Sequence, residues 1–384
     1  MDWSGLRTLN LRVHSDFGHI NEDRDALRDQ MEVASLLQVQ GDGFRSFAGV
    51  ALAVLTFSHR LLLLDEPEAF LHPAQARALG RWIAEQSRSR GGQIVVATHS
   101  ADFLEGVLSE GGDAAIVRLN RSLAGTRFHL IPPAPAAALL QTPLLSSQPV
   151  LDALFHRGVV VCEGDPDRSV YQTVAHRFLD RREVLFIHSN GKDAAKRPLE
   201  LMRQADVPVA AIMDFDVVNS PHVLSGIVEA ITGSAPSEII LRLRDQLETS
   251  LDQPTDQEQI DRLHAEVTTW MGQSHADARA SRRTLRNISE VGASAWEAVK
   301  KHGLLGVPDA GRGAAKQLMR ELADIGLFLV QSGELESWLC TSVQKGQKWN
   351  QAALVALHTN DCPIELKAFV KNATDFVFRP EGSP

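Results

Sequence analysis

Leu61-Leu-Leu-Leu-Asp65-Glu66-Pro-Glu68-Ala-Phe-Leu-His72 sets four consecutive leucines directly before a pair of carboxylates. A short apolar run that ends on charge reads as a parallel strand covered on both faces by helices. Ligands of such sheets gather beyond the carboxyl ends of the strands, where Asp65 and Glu66 must stand. There one acid can hold Mg²⁺, directly or through water, while its neighbour positions an attacking water. A second strand, Gln93-Ile-Val-Val-Ala97, leads into Thr98-His99-Ser100, a suitable place for a histidine that senses a γ-phosphate.

Upstream, Gln40-Gly-Asp-Gly-Phe-Arg45-Ser46 precedes a helix-like apolar stretch, Phe47 to Phe57. Its glycines allow close backbone approach, Ser46 can cap the helix, and a helix N-terminus favours phosphate. The order of these segments resembles the later half of an ATP-binding-cassette ATPase of the recombination-repair type. The resemblance implies that Asp65-Glu66 is Walker B, Glu68 to His72 the D-loop region, and His99 the switch histidine. It also implies that Ser46 lies in the signature loop, so Ser46, Asp65, Glu66 and His99 are the expected nucleotide contacts. The phosphate-cradling G-x-x-x-x-G-K-[ST] is missing: the only Gly-Lys is Gly191-Lys192, followed by Asp193. Residues 1–34 offer no strand with a Gly-rich turn. In cassette dimers the signature loop completes the partner's nucleotide site. ATP is therefore expected only with a Walker A supplied from elsewhere, and a homodimer through this part. Either the chain is an amino-truncated product, or its downstream activity runs without its own ATP hydrolysis.

The 384 residues leave room for two or three domains, and 44% hydrophobic with 23% charged residues is ordinary for a globular protein. No run approaches a membrane span and no secretory signal is present, so a cytoplasmic chain without membrane partners is expected. Cys162, Cys340 and Cys362 form no CxxC pair and suggest neither a disulfide framework nor zinc. The net charge of −9 does not advertise a nucleic-acid binder, so charge distribution is the better guide.

Pro73 starts a helix that Gly91-Gly92 ends, and this first unit closes near Ile131. Residues 132–150, rich in proline and small residues, read as a linker. A second α/β unit follows over 151–345. Its strands are Gly158–Cys162, Val184–Ile187, Pro208–Met213 and Leu327–Val330, with helices over Arg168–Arg182 and Ala194–Ala205. Alternation of this kind implies a small parallel sheet wrapped on both faces. Residues 220–320 form a helical insertion, and 346–384 a helical tail. The insertion's second part carries Arg279, Arg282, Arg283, Arg286, Lys300, Lys301, Arg312, Lys316 and Arg320 against only Glu290, Glu297 and Asp309. That run either grips DNA phosphates or is a solvated face.

Glu163-Gly164-Asp165-Pro166-Asp167 follows the first strand of the second unit, and Asp214-Phe215-Asp216 follows the third. Strand alternation puts Asp214 and Asp216 on one side and Phe215 on the other. Asp167 stands in the first helical turn, where aspartate also serves as a cap. Together Glu163, Asp167, Asp214 and Asp216 are expected around one spot. Two like charges about 4 Å apart cost roughly 4 kcal/mol at an effective dielectric near 20, so such a cluster calls for a cation. Oxygen-only ligation points to Mg²⁺ or Mn²⁺.

This constellation resembles the Toprim domain of topoisomerases, primases and certain nucleases. A half-cassette followed by Toprim resembles the OLD (overcoming lysogenisation defect) family of ATP-dependent nucleases over roughly residues 35–345. The resemblance implies a metal-dependent endonuclease that cuts DNA, that of phages in a defence setting, by two-metal-ion chemistry, with a helicase-like partner by family analogy. It implies ions held by Glu163, Asp167, Asp214 and Asp216. Gly333-Glu334-Leu-Glu336 looks like a further family element in which Glu334 and Glu336 add carboxylates, unless they are ordinary helix-start acids. Family nucleases also use a lysine near the C-terminus, for which Lys371 and Lys367 are candidates by position, as solvated helix lysines equally would be. Gly191-Lys192 either faces the phosphate or ends a turn. A different class is a non-catalytic DNA-binding or regulatory protein built from the same remnants. A topoisomerase would need a tyrosine nucleophile, and the only tyrosine, Tyr171, falls on a helix stripe beside the core.

Overall fold

The computed structural model describes residues 11–14, 23–57, 61–109, 114–122, 125–131, 151–251, 256–272, 295–333, 335–339, 347–359 and 362–379. The linker 132–150, Arg279, Arg282, Arg283, Arg286, Glu290, Glu334 and Cys340 lie outside the described residues. Among the described residues, those up to Ile116 form one compact unit and those from Val117 onward a second. No described helix is long and apolar enough to cross a membrane.

In the first unit, β1 (Arg12–Val13) pairs antiparallel with β2 (Ser35–Leu36) around α1 (Arg24–Val33). The short β1 lies within residues 1–34, where the pattern predicts no strand. Then come α2 (Asp42–Thr56), β3 (Leu61–Asp65), α3 (Pro73–Arg90), β4 (Gln93–Ala97) and α4 (Ala101–Ser109). The start of α3 is fixed by Pro73 and by the Gln75 side chain, which accepts the His72 backbone N–H at 3.1 Å. It stops at Gly91, whose φ of 66° is a left-handed cap that glycine adopts without strain. β3 and β4 run parallel with Leu61 opposite Gln93 and Asp65 opposite Ala97. Leu62, Leu64, Ile94 and Val96 pack on one side with Val54, Leu79 and Phe103 of the helices. The other side is open: Leu61, Leu63 and Val95 are 59%, 68% and 55% exposed. The expectation of helices on both faces is not met among the described residues, whose helices supply one covering layer.

The hairpin β5 (Ile116–Ser122) and β6 (Gly125–Ile131) belongs, from Val117 onward, to the second unit and not, as a first unit closing near Ile131 would require, to the first. Buried Arg118 explains the difference. Its guanidinium donates to the carbonyls of Leu154 (3.0 Å), Asp206 (2.7 Å) and His156 (3.0 Å). Ile131 adds a fully buried apolar anchor. The sheet itself holds β7 (Gly158–Cys162), β8 (Val184–His188), β9 (Val209–Met213) and β10 (Leu327–Leu329) in the order β10-β9-β7-β8, every pair parallel. α5 (Asp165–Phe178) connects β7 to β8, and α6 (Lys196–Gln204) connects β8 to β9.

Every residue of β7, β9 and β10 is buried, as uninterrupted Val/Ala/Ile/Leu runs require of strands covered on both faces. Tyr171 and Val174 of α5 pack with Val160, Cys162, Ile212 and Phe328 on one face, and α6 lies against the other. Between β9 and β10 the described elements are helical: α7 (Pro221–Thr232), α8 (Glu238–Ser250), α9 (Asp256–Met271), α10 (Ala295–His302) and α11 (Asp309–Asp324), joined by 3₁₀ turns. Residues read as a tail form α12 (Gln347–Thr359) and α13 (Ile364–Phe376). They are no appendage: Trp349, Leu366, Phe369 and Val370 complete the core on the α5 face of the sheet.

Candidate functional site

From central β7 the chain passes to β8 on one side and then crosses to β9 on the other. The crevice between the carboxyl ends of β7 and β9 is thus the switch point at which open α/β sheets bind ligands. Glu163 and Asp214 flank it. A Glu163 carboxylate oxygen accepts the Asp214 backbone N–H at 3.3 Å, tying the two loops together. The loop after β8 closes the third side, where Gly191 N–H donates to the Glu163 carbonyl at 2.9 Å. Ser189, 1% exposed, donates its hydroxyl to the Cys162 carbonyl at 3.2 Å. Asp167 stands at the third position of α5 and accepts the Gly164 N–H at 3.0 Å, so it closes the helix start instead of N-capping it.

Asp216 departs from the alternation argument. β9 ends at Met213, Asp214 caps a 3₁₀ turn over Phe215–Asn219, and both Phe215 and Asp216 turn inward, 0% and 8% exposed. One Asp216 oxygen, Oδ2, receives Lys192 Nζ at 3.0 Å and Lys300 Nζ at 2.9 Å. Lys192 also donates to the Asp216 carbonyl at 3.2 Å. The other oxygen, Oδ1, is buried with no hydrogen-bond partner. Lys300 arrives from the insertion at the end of α10. There Gly303 (φ 56°) and Gly333 (φ 90°) meet backbone to backbone, and a Cβ at Gly303 would lie 2.0 Å from the Gln331 carbonyl. Only glycine permits that approach, which sets the Lys300 carbonyl against Gly333, three residues before Glu336 of the 3₁₀ turn Leu335–Ser337.

The electrostatics follow from this packing. Burial, reinforced by the Asp216 charge, raises the Glu163 carboxyl above its ordinary value. Burial pushes Asp216 the same way, but hydrogen bonds from Lys300 and Lys192 outweigh it and hold the carboxyl low. The bond to Asp216 raises Lys300 in turn. Tyr171 is pushed far up, first by burial and then by the charges of Asp167, Asp214, Cys162 and Glu336. At 1% exposure the Tyr171 hydroxyl is closed to a nucleophile's work.

Of the expected acids, Glu163 is tied to the Asp214 backbone, and Asp216 lies close enough for its charge to act on Glu163. Among the described residues, no three His, Cys, Asp or Glu side chains converge closely enough to hold an ion as they stand. The expectation that repulsion demands a metal is corrected: two ammonium groups already neutralise Asp216. In the sequence Lys300 is one of a basic run, and nothing local marks it apart. Elsewhere in that run, Arg312 pairs with Asp309 at 2.6 Å, while Lys316 and Arg320 are exposed. Lys371 is not at the site. It pairs with Asp375, which also binds Arg181 at 2.5 Å, just past the end of α5 and remote from the helix start at Asp165. At about 1.5 Å per residue, the length of α5 separates the two. Lys367 is exposed on the same helix.

In the first unit the strand pairing brings Glu66 and His99 together, with His99 Nδ1 2.9 Å from a Glu66 carboxylate oxygen. Glu66 adopts φ 44°, a strained backbone for a non-glycine residue, which turns its side chain out of the strand line. Asp65 ends β3 with its side chain exposed. Glu68 is buried at 7% exposure and accepts the Thr98 hydroxyl, its second oxygen left without a partner. Ser46 does not cap: Gly41 holds the N-cap of α2, and Ser46 lies inside the helix.

Residues 6–105 match the family of an AAA domain described with the AbiEii toxin of a type IV TA system. Residues 154–216 match the family described as overcoming lysogenization defect protein-like, TOPRIM domain, and that span holds Glu163, Asp167, Asp214 and Asp216. An 85-residue stretch, 21% of this chain and 75% of the relative, is 26% identical to the uncharacterized protein MJECL11 of Methanocaldococcus jannaschii. Similar solved structures include the C-terminal region of the Xanthomonas campestris pv. campestris OLD protein, phased with iodine. That match is 15% identical with a TM-score of 0.26, covering 58% of this chain and 97% of that one. The platinum-phased structure gives 16% identity and a TM-score of 0.25, covering 58% and 92%. These Toprim features are those of a nuclease-type family. The chain thus joins an AAA-type ATPase segment to an OLD-like Toprim domain, in that order.

Proposed function

We propose that this chain is a metal-dependent endonuclease that hydrolyses DNA phosphodiesters at the crevice between β7 and β9. The observation that carries the reading is the buried, unpartnered Asp216 Oδ1 beside Glu163 and Asp214 at a topological switch point. A buried polar atom left bare is costly and is characteristic of a site that lacks one of its components. The donor set is all oxygen, which suits Mg²⁺ or Mn²⁺ and not zinc.

Once these side chains close on the metal, Glu163 with Asp214 or Asp216 would hold one ion, and Asp167, either Asp214 or Asp216, and Glu336 a second. Bound there, such ions supply a water of lowered pKa and offset charge on the phosphate. The chain's own part is to fix those carboxylates: the Asp214 N–H orients Glu163, and the Gly164 N–H orients Asp167. Lys192, anchored on Asp216, brings a cation to the edge where a phosphate would lie. Glu334 remains a further candidate ligand. The basic residues of the insertion are proposed as backbone contacts for DNA, which would make binding strongly salt-dependent.

The AAA-type segment is proposed to serve dimerisation or control through Ser46, Asp65, Glu66 and His99, with ATP bound only where another polypeptide lends a phosphate loop. A helicase-like partner, a role in antiviral defence and a cytoplasmic setting belong to the same proposal. The test is nicking of supercoiled plasmid with Mg²⁺ and with Mn²⁺. The parent should cut and Asp214→Ala should not, while melting in EDTA is unchanged or raised. Cutting that persists in EDTA or in the variant rules the site out. A folded parent inert with every ion favours a regulatory protein.

A further inference from the structure

We propose that Lys192 and Lys300 act as a built-in cation at Asp216, and that a divalent ion enters this site by displacing the Lys300 ammonium. The inference rests on the metal reading above. Its ground is geometric: both ammonium groups converge on Asp216 Oδ2, at 3.0 and 2.9 Å, while Oδ1 stays buried and bare. Burying a carboxylate without a counter-charge is prohibitive, so a metal-free chain must fill this position from within. Two lysines on one oxygen do that, and they leave the second oxygen facing inward for a different ligand.

The two lysines are not equivalent. Lys192 makes a second bond, to the Asp216 carbonyl at 3.2 Å, and its side chain is 23% exposed. Lys300 is 42% exposed and comes from the far end of the insertion, so it has solvent to leave into. An ion at Asp216 would meet the positive charge of Lys300 at close range, and the two must compete for the same carboxylate. The chain would then bind metal less tightly than its carboxylates alone allow. The insertion, through Lys300, would set the ion concentration at which the site fills.

The experiment uses the full chain, with free Mn²⁺ followed by its paramagnetic resonance signal and folding followed by melting in EDTA. Lys300→Met is expected to melt lower in EDTA and to bind Mn²⁺ on the order of tenfold more tightly, since a competing unit charge is gone. Lys300→Arg keeps the charge and should bind as the parent does. Should Lys300→Met fail to fold, Lys300→Gln removes the charge while keeping a donor. In an Asp216→Asn background the same replacement should no longer tighten binding. Equal affinity in parent and neutral variants overturns the displacement while leaving a metal site in place. Weaker binding makes Lys300 a support of the ion-bound form and also overturns it. Absence of Mn²⁺ binding in parent and variants alike removes both the metal reading and the displacement.

Discussion

β3-β4 and β7-β9 are both parallel pairs built from short aliphatic runs, yet they meet opposite fates. Leu61 and Leu63 of β3 stand in solvent on one side, while Val159 and Val161 of β7 have no exposure at all. Composition does not separate them: Leu-Leu-Leu-Leu is as apolar as Val-Val-Val. The difference is the number of layers around them. β7 has strands on both edges and helices on both faces, and among the described residues β3 has one partner strand and one helical layer. A parallel strand's hydrophobic pattern therefore states what the strand needs, and only neighbours decide whether the need is met. The same contrast applies to charge. Glu66 and His99 interact half in water, whereas the Asp216 carboxylate is largely buried beneath its two ammonium partners.

The sharpest way to break this comparison is by truncation in the closed sheet. Ile212→Ala in β9, at 1% exposure, should cost about 2–5 kcal/mol of unfolding free energy in urea melts of the second unit's transition. A cost under about 1 kcal/mol would mean this sheet is looser than its burial implies.

A middle-sized effect concerns the helix that closes the sheet. Asp375 is pulled toward a higher pKa by partial burial, but hydrogen bonds from Lys371 and Arg181 prevail and hold it below the ordinary 3.8. A depressed acid contributes stability above its unfolded pKa and loses it as pH falls through its folded value. Asp375→Asn should therefore destabilise by up to about 1 kcal/mol at neutral pH, since the pair is a third exposed. The gap between parent and variant should close as the pH drops below 3.8. A gap that is constant with pH would assign the effect to packing.

The smallest effect is the most informative about the open sheet. Leu63→Thr, on the exposed side of β3, should change stability by no more than about 0.5 kcal/mol. A loss approaching that of Ile212→Ala, and growing with protein concentration, would reveal that a second copy covers this face in solution.

Strand runs were legible because burial on two faces leaves an unbroken apolar signature, and Gly158–Cys162 and Gln93–Ala97 have their sequence-read bounds. The positions of Glu163 and Asp214 followed from strand ends and sheet order. What was not legible depends on contacts across the chain. Asp216 turns inward because β9 stops at Met213 and a 3₁₀ turn begins, a choice that alternation cannot express. Lys300 reaches it across 84 residues of sequence, held by glycines whose need for positive φ has no local signature. Ser46 failed as a cap because the helix starts earlier, at Asp42, with Gly41 before it. Lys371 was chosen by position alone, and its carboxylate neighbour four residues on claims it.

The Arg118 guanidinium, spread over three carbonyls that belong to the Toprim unit, bears on how such proteins are inherited. Domains shuffle between genes as segments, and a segment is transferable only if it takes its own hydrogen-bond partners along. A Toprim cassette copied from residue 151 onward would leave the carbonyls of Leu154, His156 and Asp206 without the donor that binds them here. A segment that carries its own donor is therefore expected to start at the β5-β6 hairpin, close to the boundary between the two units at Ile116.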